Sequence, residues 1–89
     1  MRAVITVIGR DTVGILAKVS NVCSDYNANI IEVTQSVLQE LFAMIMLVDI
    51  SHINVDFSEL SSTLNNLGKD LGLSIHTMHE DIFNSMHRI

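Results

Sequence analysis

Two glycines four residues apart, Gly9 and Gly14 in the stretch VIGRDTVGIL (residues 7–16), have the glycine spacing of a phosphate-cradling loop. Such a loop needs a lysine after the second glycine to neutralise phosphate, then Ser or Thr to ligate magnesium. Those places hold Ile15 and Leu16, and Asp11 inside the loop repels phosphate. Nucleotide chemistry is therefore excluded. What remains is backbone. Glycine permits close approach and positive φ. The first turn of a following helix offers N–H groups without intrahelical acceptors, at an end whose partial positive charge favours a carboxylate. Two readings stay open here: a carboxylate-binding turn, and a plain strand-to-helix corner.

The other reactive side chains assemble into nothing catalytic. Cys23 stands alone on the apolar side of a helical pattern, which makes it a buried, inert thiol rather than a nucleophile. His76 and His79 are three apart in a strand pattern and point to opposite faces, so they cannot share a metal. His52 falls in a loop and His87 in the tail, and scattered surface histidines are expected. Glu40, Asp49 and Asp56 fall at turns and helix starts, where solvation or capping accounts for them. No nucleophile, metal set or acid–base pair emerges, so neither an enzyme nor a cofactor is expected. A second polar stretch, NANI at residues 27–30, does carry usable groups: the amides of Asn27 and Asn29 both donate and accept. With the loop's N–H groups they would suit a small zwitterion. Both stretches are expected near one edge of a sheet. The competing reading makes the two asparagines turn residues, since Asn tolerates left-handed backbone.

At 89 residues the chain is one domain, with 48% apolar residues and only 4% aromatic ones, so its core must be aliphatic and Met-rich. The net charge is −5, and the five basic residues, Arg2, Arg10, Lys18, Lys69 and Arg88, do not cluster. Without a basic stripe neither nucleic acid nor an anionic membrane surface is an expected partner. The lone cysteine fits a reducing, cytoplasmic setting. The N-terminal run meets Arg10 and Asp11 at once and shows no cleavage site, and no stretch has the length of a membrane span.

The elements that must hold these groups follow from periodicity. Residues 2–8 form a short Val/Ile-rich strand buried on both faces. From Thr12 to about Tyr26 the apolar positions Ile15, Val19, Val22 and Tyr26 take helical spacing, with Asp11 or Thr12 as the cap. Residues 30–38 alternate, with Ile31, Val33 and Val37 on one face and Glu32, Thr34 and Ser36 on the other. LQEL turns the chain into residues 41–50, apolar on both faces, as an antiparallel hairpin. A helix opens at Asp56 in the capping-box pattern DFSE. It buries Phe57, Leu60, Leu64, Leu67 and Leu71, and stops at Gly72. Residues 73–80 are the last strand. The order βαββαβ is the ferredoxin-like α+β arrangement: a four-stranded antiparallel sheet, order 4-1-3-2, with two helices on one face. Strands one and three, apolar on both faces, are then central. The tail, residues 81–89, places Ile82, Phe83, Met86 and Ile89 on one side of a short helix, expected to dock on a sheet edge or a second subunit.

The run from Val7 to Gln35 resembles the opening half of an ACT domain. That family's pattern is a strand, G-[RK]-D-x-x-G-[IL], an amphipathic helix, and N-I opening the second strand. Gly9, Arg10, Asp11, Gly14, Ile15, Asn29 and Ile30 match it, over a domain of residues 1–80. The size and the IFNSM near the end are similar to small stand-alone ACT proteins of bacteria and archaea, and to glycine-cleavage repressor-like ones. The resemblance implies a non-enzymatic regulatory module that binds an amino acid between ACT protomers. By the same resemblance Asp11, Thr12, Val13, Gly14 and Ile15, with Asn29 and Ile30, line the site, mostly through backbone. With no attached catalytic or DNA-binding domain in this chain, regulation is expected to act on a partner protein or through a homodimer or higher homo-oligomer. The alternative is a ligand-free oligomerisation or adaptor module that binds a partner protein. Association is common to both, because strand three is apolar on both faces and two helices cover only one.

Overall fold

The computed structural model of the chain describes residues 1–10 and 14–86. Seven elements follow in order: β1 (Arg2–Arg10), α1 (Ile15–Asp25), β2 (Asn29–Leu38), β3 (Leu41–Asp49), α2 (Phe57–Leu71), β4 (Ser74–His79) and α3 (Glu80–Met86). The four strands form one sheet in the order β2-β3-β1-β4, antiparallel at every pair. This is the expected 4-1-3-2 order, with β1 and β3 central. Ala3, Ile5 and Val7 from β1 and Phe42, Met44, Met46 and Val48 from β3 form the floor of the core. Ile15, Val19 and Cys23 of α1 and Leu60 and Leu64 of α2 form its roof.

Several boundaries differ from the sequence reading, each for a stated reason. β1 runs two residues further, because β3 supplies partners there: Gly9 faces Phe42 and Arg10 faces Leu41. Gly9 is thus a strand residue, not a loop glycine, and its lack of a side chain makes room for Leu73, whose Cδ2 would overlap a Cβ at this position. α1 begins at Ile15 rather than Thr12, since Gly14 at φ 83 is left-handed and cannot lie inside a right-handed helix. Gly14 is the N-cap, and among the described residues no side chain caps the helix. Capping by Asp11 or Thr12 falls outside the described residues. Asp56 does occupy the N-cap of α2, but its carboxylate makes no capping hydrogen bond. In β2 the register slips between Ile30 and Glu32. This bulge breaks the expected alternation: Ile30 and Val33 pack against the core while Ile31 is exposed.

Gly72 ends α2 with φ 72. Leu73 N–H donates to Gly68 O at 2.8 Å and Gly72 N–H to Lys69 O at 3.4 Å, the paired bonds of a Schellman stop. The chain then drops directly into β4. α3 leaves β4 towards the sheet face that α1 and α2 do not cover. Its first residue, Glu80, takes both arms of the Arg2 guanidinium, Nε to Oε1 at 3.0 Å and Nη2 to Oε2 at 2.7 Å. Phe83 and Met86 overhang Thr6, Ile8 and His76. Residues 87–89, and with them the expected contribution of Ile89, lie outside the described residues.

Gly68 sits where α2 crosses β4. A Cβ there would meet Ile75 Cγ1 and the backbone oxygen of Leu73, both at 2.9 Å. Alanine in a helix interior gains about 1 kcal/mol in propensity over glycine, but a backbone carbonyl cannot swing aside as a side chain does. Gly68→Ala is therefore expected to destabilise by about 1–3 kcal/mol, read as a lower urea midpoint at unchanged m-value. A raised midpoint would show that the crossing relaxes freely.

Candidate functional site

The loop and the NANI stretch flank α1, one at each end. At the front, Gly14 O accepts the first helical hydrogen bond from Lys18 N–H at 3.0 Å. That leaves the N–H groups of Ile15, Leu16 and Ala17 as the orphan donors of the helix start. Among the described residues no acidic side chain lies in this turn. Gly14 is exposed, and among the described residues beyond its chain neighbours no heavy atom lies within 4 Å of where its Cβ would stand. Ile15 buries its side chain in the core, so its part in a site is confined to backbone. Asp11, Thr12 and Val13 lie outside the described residues.

At the rear, α1 ends at Asp25 and the chain turns through Asn27 at φ 61. Asn27 Nδ2 donates to His52 O at 2.8 Å, and Asn54 Nδ2 donates to Asp25 O at 3.1 Å. Asn27 is thus a turn residue with its amide N–H already committed. Asn29, the first residue of β2, is exposed, and among the described residues its side chain has no hydrogen-bond partner. It lines a shallow groove of about 390 Å³ with Ser20, Ser24, Asn27, Ala28 and Ile30. Hydroxyls and amides dominate this lining. Ser20 and Ser24 were not among the expected site residues. Their i, i+4 spacing on the side of α1 next to NANI was the signal for them.

These two ends do not meet in one chain. Arg10, where β1 ends, is level with Leu41 on β3, whereas Asn29 is level with Asp49. Eight residues of strand, about 26 Å, separate those levels. The eleven residues of α1 span about 16 Å between Gly14 and the NANI turn. An amino acid carries its ammonium and carboxylate on the same carbon, so one molecule cannot reach both. The expectation that both stretches sit near one edge is corrected accordingly: they lie at opposite ends of α1.

The comparisons with known proteins agree with this architecture. The model of the family described as ACT domain matches residues 2–78. A UPF0237 protein of Methanocaldococcus jannaschii is 50% identical over 88 residues, covering 99% of this chain and 98% of the relative. Among solved structures, an ACT domain protein from Streptococcus pneumoniae superposes with a TM-score of 0.80 at 35% identity, covering 93% of each chain. A protein described as a candidate glycine cleavage system transcriptional repressor superposes at 0.74 and 25% identity, covering 85% of this chain and 43% of that one.

The remaining reactive groups have structural surroundings. Among the described residues no group of three His, Cys, Asp or Glu side chains could hold a metal. His76 is exposed on the open sheet face, while His79 is not the surface residue expected. Its ring stacks on Phe57 at 4.1 Å, with 20° between planes, where α2 starts. Sequence spacing pairs neighbours along one element, so a stack between α2 and β4 left no trace in it. Cys23 is fully buried, and burial pushes its thiol up to about 11. Native protein at pH 8 is therefore expected to resist a thiol reagent such as dithionitrobenzoate, with full reaction once urea unfolds it. Prompt labelling of the native state would place Cys23 in a solvent path.

Proposed function

The chain belongs to the ACT domain family, and we propose that it is a non-enzymatic regulatory module that binds a small metabolite, an amino acid, at an interface between protomers. The observation that carries this reading is the division of the polar groups between the two ends of α1. The front supplies N–H donors at a positive helix end, suited to a carboxylate. The rear supplies the Asn29 amide and the Ser20 and Ser24 hydroxyls, whose oxygens suit an ammonium. Two copies related by a two-fold axis across α1 and β2 run antiparallel. The front of each then meets the rear of the other, giving two equivalent sites. The solved structure described as a candidate glycine cleavage repressor supports a regulatory role.

A thermal-shift screen against the twenty amino acids at millimolar concentration tests this directly. A ligand at about 100 times its dissociation constant adds about 2.7 kcal/mol, which for a domain of this size raises Tm by about 10 °C or more. Gly14→Val fills the open space before the helix start and is expected to abolish the shift. Asn29→Ala is expected to weaken binding by about 1–3 kcal/mol. Mixing the two variants is the sharper measurement. A hybrid dimer carries one site with both lesions and one with neither, and random exchange of an equal mixture makes half of the dimers hybrid, so the mixture should regain about a quarter of the wild-type sites. A mixture that stays inactive while subunits exchange would remove the inter-protomer site. No shift with any amino acid would favour the alternative, a ligand-free oligomerisation module that binds a partner protein.

A further inference from the structure

The rear groove offers more hydrogen-bond donors than the backbone of an amino acid can use. Its lining, between the end of α1 and the start of β2, is Ser20, Ser24, Asn27, Ala28, Asn29 and Ile30. Asn27 Nδ2 already donates to His52 O. The hydroxyls of Ser20 and Ser24 and the amide of Asn29 have no hydrogen-bond partner among the described residues. An α-ammonium is a donor only, and it would take the oxygens of these three groups. An α-carboxylate is met at the other end by the N–H groups of the helix start, where Ile15, Leu16 and Ala17 have no intrahelical acceptor. The hydrogens on the two hydroxyls and on Asn29 Nδ2 are then still unmatched, and they face the space where the side chain of the ligand would lie. The i, i+4 spacing of Ser20 and Ser24 sets their hydroxyls on one side of α1, about 5–6 Å apart, within the reach of one short side chain.

We infer that the ligand is an amino acid whose side chain is neutral and carries an oxygen, a hydroxyl or an amide, and that Ser20 and Ser24 select it. The inference rests on the reading that an amino acid binds between protomers, and it names which chemical class does so. Three properties of the lining argue for that class. The unmatched donors need an acceptor once a second copy closes the groove and removes water, because a donor left unpaired costs more than a made bond gains. An aliphatic side chain has no acceptor to give. The lining also holds no ionisable side chain, so a charged ligand side chain would lose water without meeting a counter-ion. Lastly, the apolar members of the lining are turned to the core. Ala28 is 6% exposed, and Ile30 packs against the buried cluster. No apolar pocket is left there to reward a branched or aromatic side chain.

Isothermal titration of the full chain with matched amino acids tests the inference. Threonine and valine share a shape and differ by a hydroxyl in place of a methyl, and asparagine and leucine differ likewise by an amide. Within the pair that binds better, the oxygen-bearing member is expected to bind about 10-fold more tightly than its partner. Aspartate and lysine are expected to bind more weakly than it does. The double variant Ser20→Ala/Ser24→Ala places a strong helix former at both positions, so its circular dichroism should stay native. It weakens both members of the pair, and their ratio should fall to about 1, which a general loss of stability would not produce. Should the double variant not fold, the two single variants replace it, and a reduced ratio in either supports the selection. Equal affinities within the pair, or tighter binding of aspartate or lysine, would overturn the inference and leave the amino-acid site standing. So would a ratio unchanged in the folded variants, since the hydroxyls would not be its source. Silence toward every amino acid would remove the inference and the proposed function together.

Discussion

The two-sided pairing of β1 governs the molecule. β1 bonds β3 along nine positions and β4 along six, and its inward residues Ala3, Ile5 and Val7 have no solvent contact. Its neighbours in space are therefore the third and fourth strands of the sequence, and β2 must be delivered to the far side of β3. α1 makes that delivery by running back across the sheet. The polar groups at its two ends are consequently kept apart by the same geometry that makes the fold closed and antiparallel. On the proposed function a single protomer would hold two unlike half-sites, and association would bring them together.

Close approach around β1 follows from where the chain omits side chains. The four glycines divide into two pairs by physical role. Gly14 and Gly72 supply left-handed backbone at φ 83 and φ 72, where a helix must begin or stop within one residue. Gly9 and Gly68 supply space instead, both around the segment that joins α2 to β4. Leu73 fills the room left by Gly9 and donates its N–H to Gly68 O. The turn from α2 into β4, the seat of β4 beside β1, and the end of β1 are thus one packed unit. A substitution at Gly14 strains the backbone without touching a neighbour, whereas one at Gly68 displaces two elements.

Periodicity made the elements legible, and topology ordered them. Leu60, Leu64, Leu67 and Leu71 mark α2 because their spacing matches one helical face, and Gly72 marks its end because only glycine enters left-handed backbone cheaply. The apolar pattern of residues 2–8 and 41–50 identified the central strands, although burial on both faces was not met: Ile8 and Ile45 are exposed on the face that α1 and α2 leave open. The local pattern did not carry effects set by other elements. β1 continues through Gly9 and Arg10 because of partners on β3. Ile31 leaves the alternation because of a bulge, which has no residue signature here. The candidate site was legible as residue types at Gly14, Ile15, Asn29 and Ile30. Their separation was not, because motif spacing along a chain measures contour length while a helix between two motifs sets their distance in space.

Size ties stability to function in this molecule. A chain of 89 residues buries only about 60–65% of the surface its unfolded form exposes, and among the described residues Ile8 and Ile45 are exposed apolar side chains on the open face of its sheet. Covering that surface adds to folding free energy by mass action, because only the folded state presents it. On the proposed function, a ligand held between protomers at the ends of α1 would act in the same way. A metabolite need not reshape the protomer to be sensed. It needs only to bind an assembled form better than a separated one, and the position of that equilibrium is then the signal a partner can read.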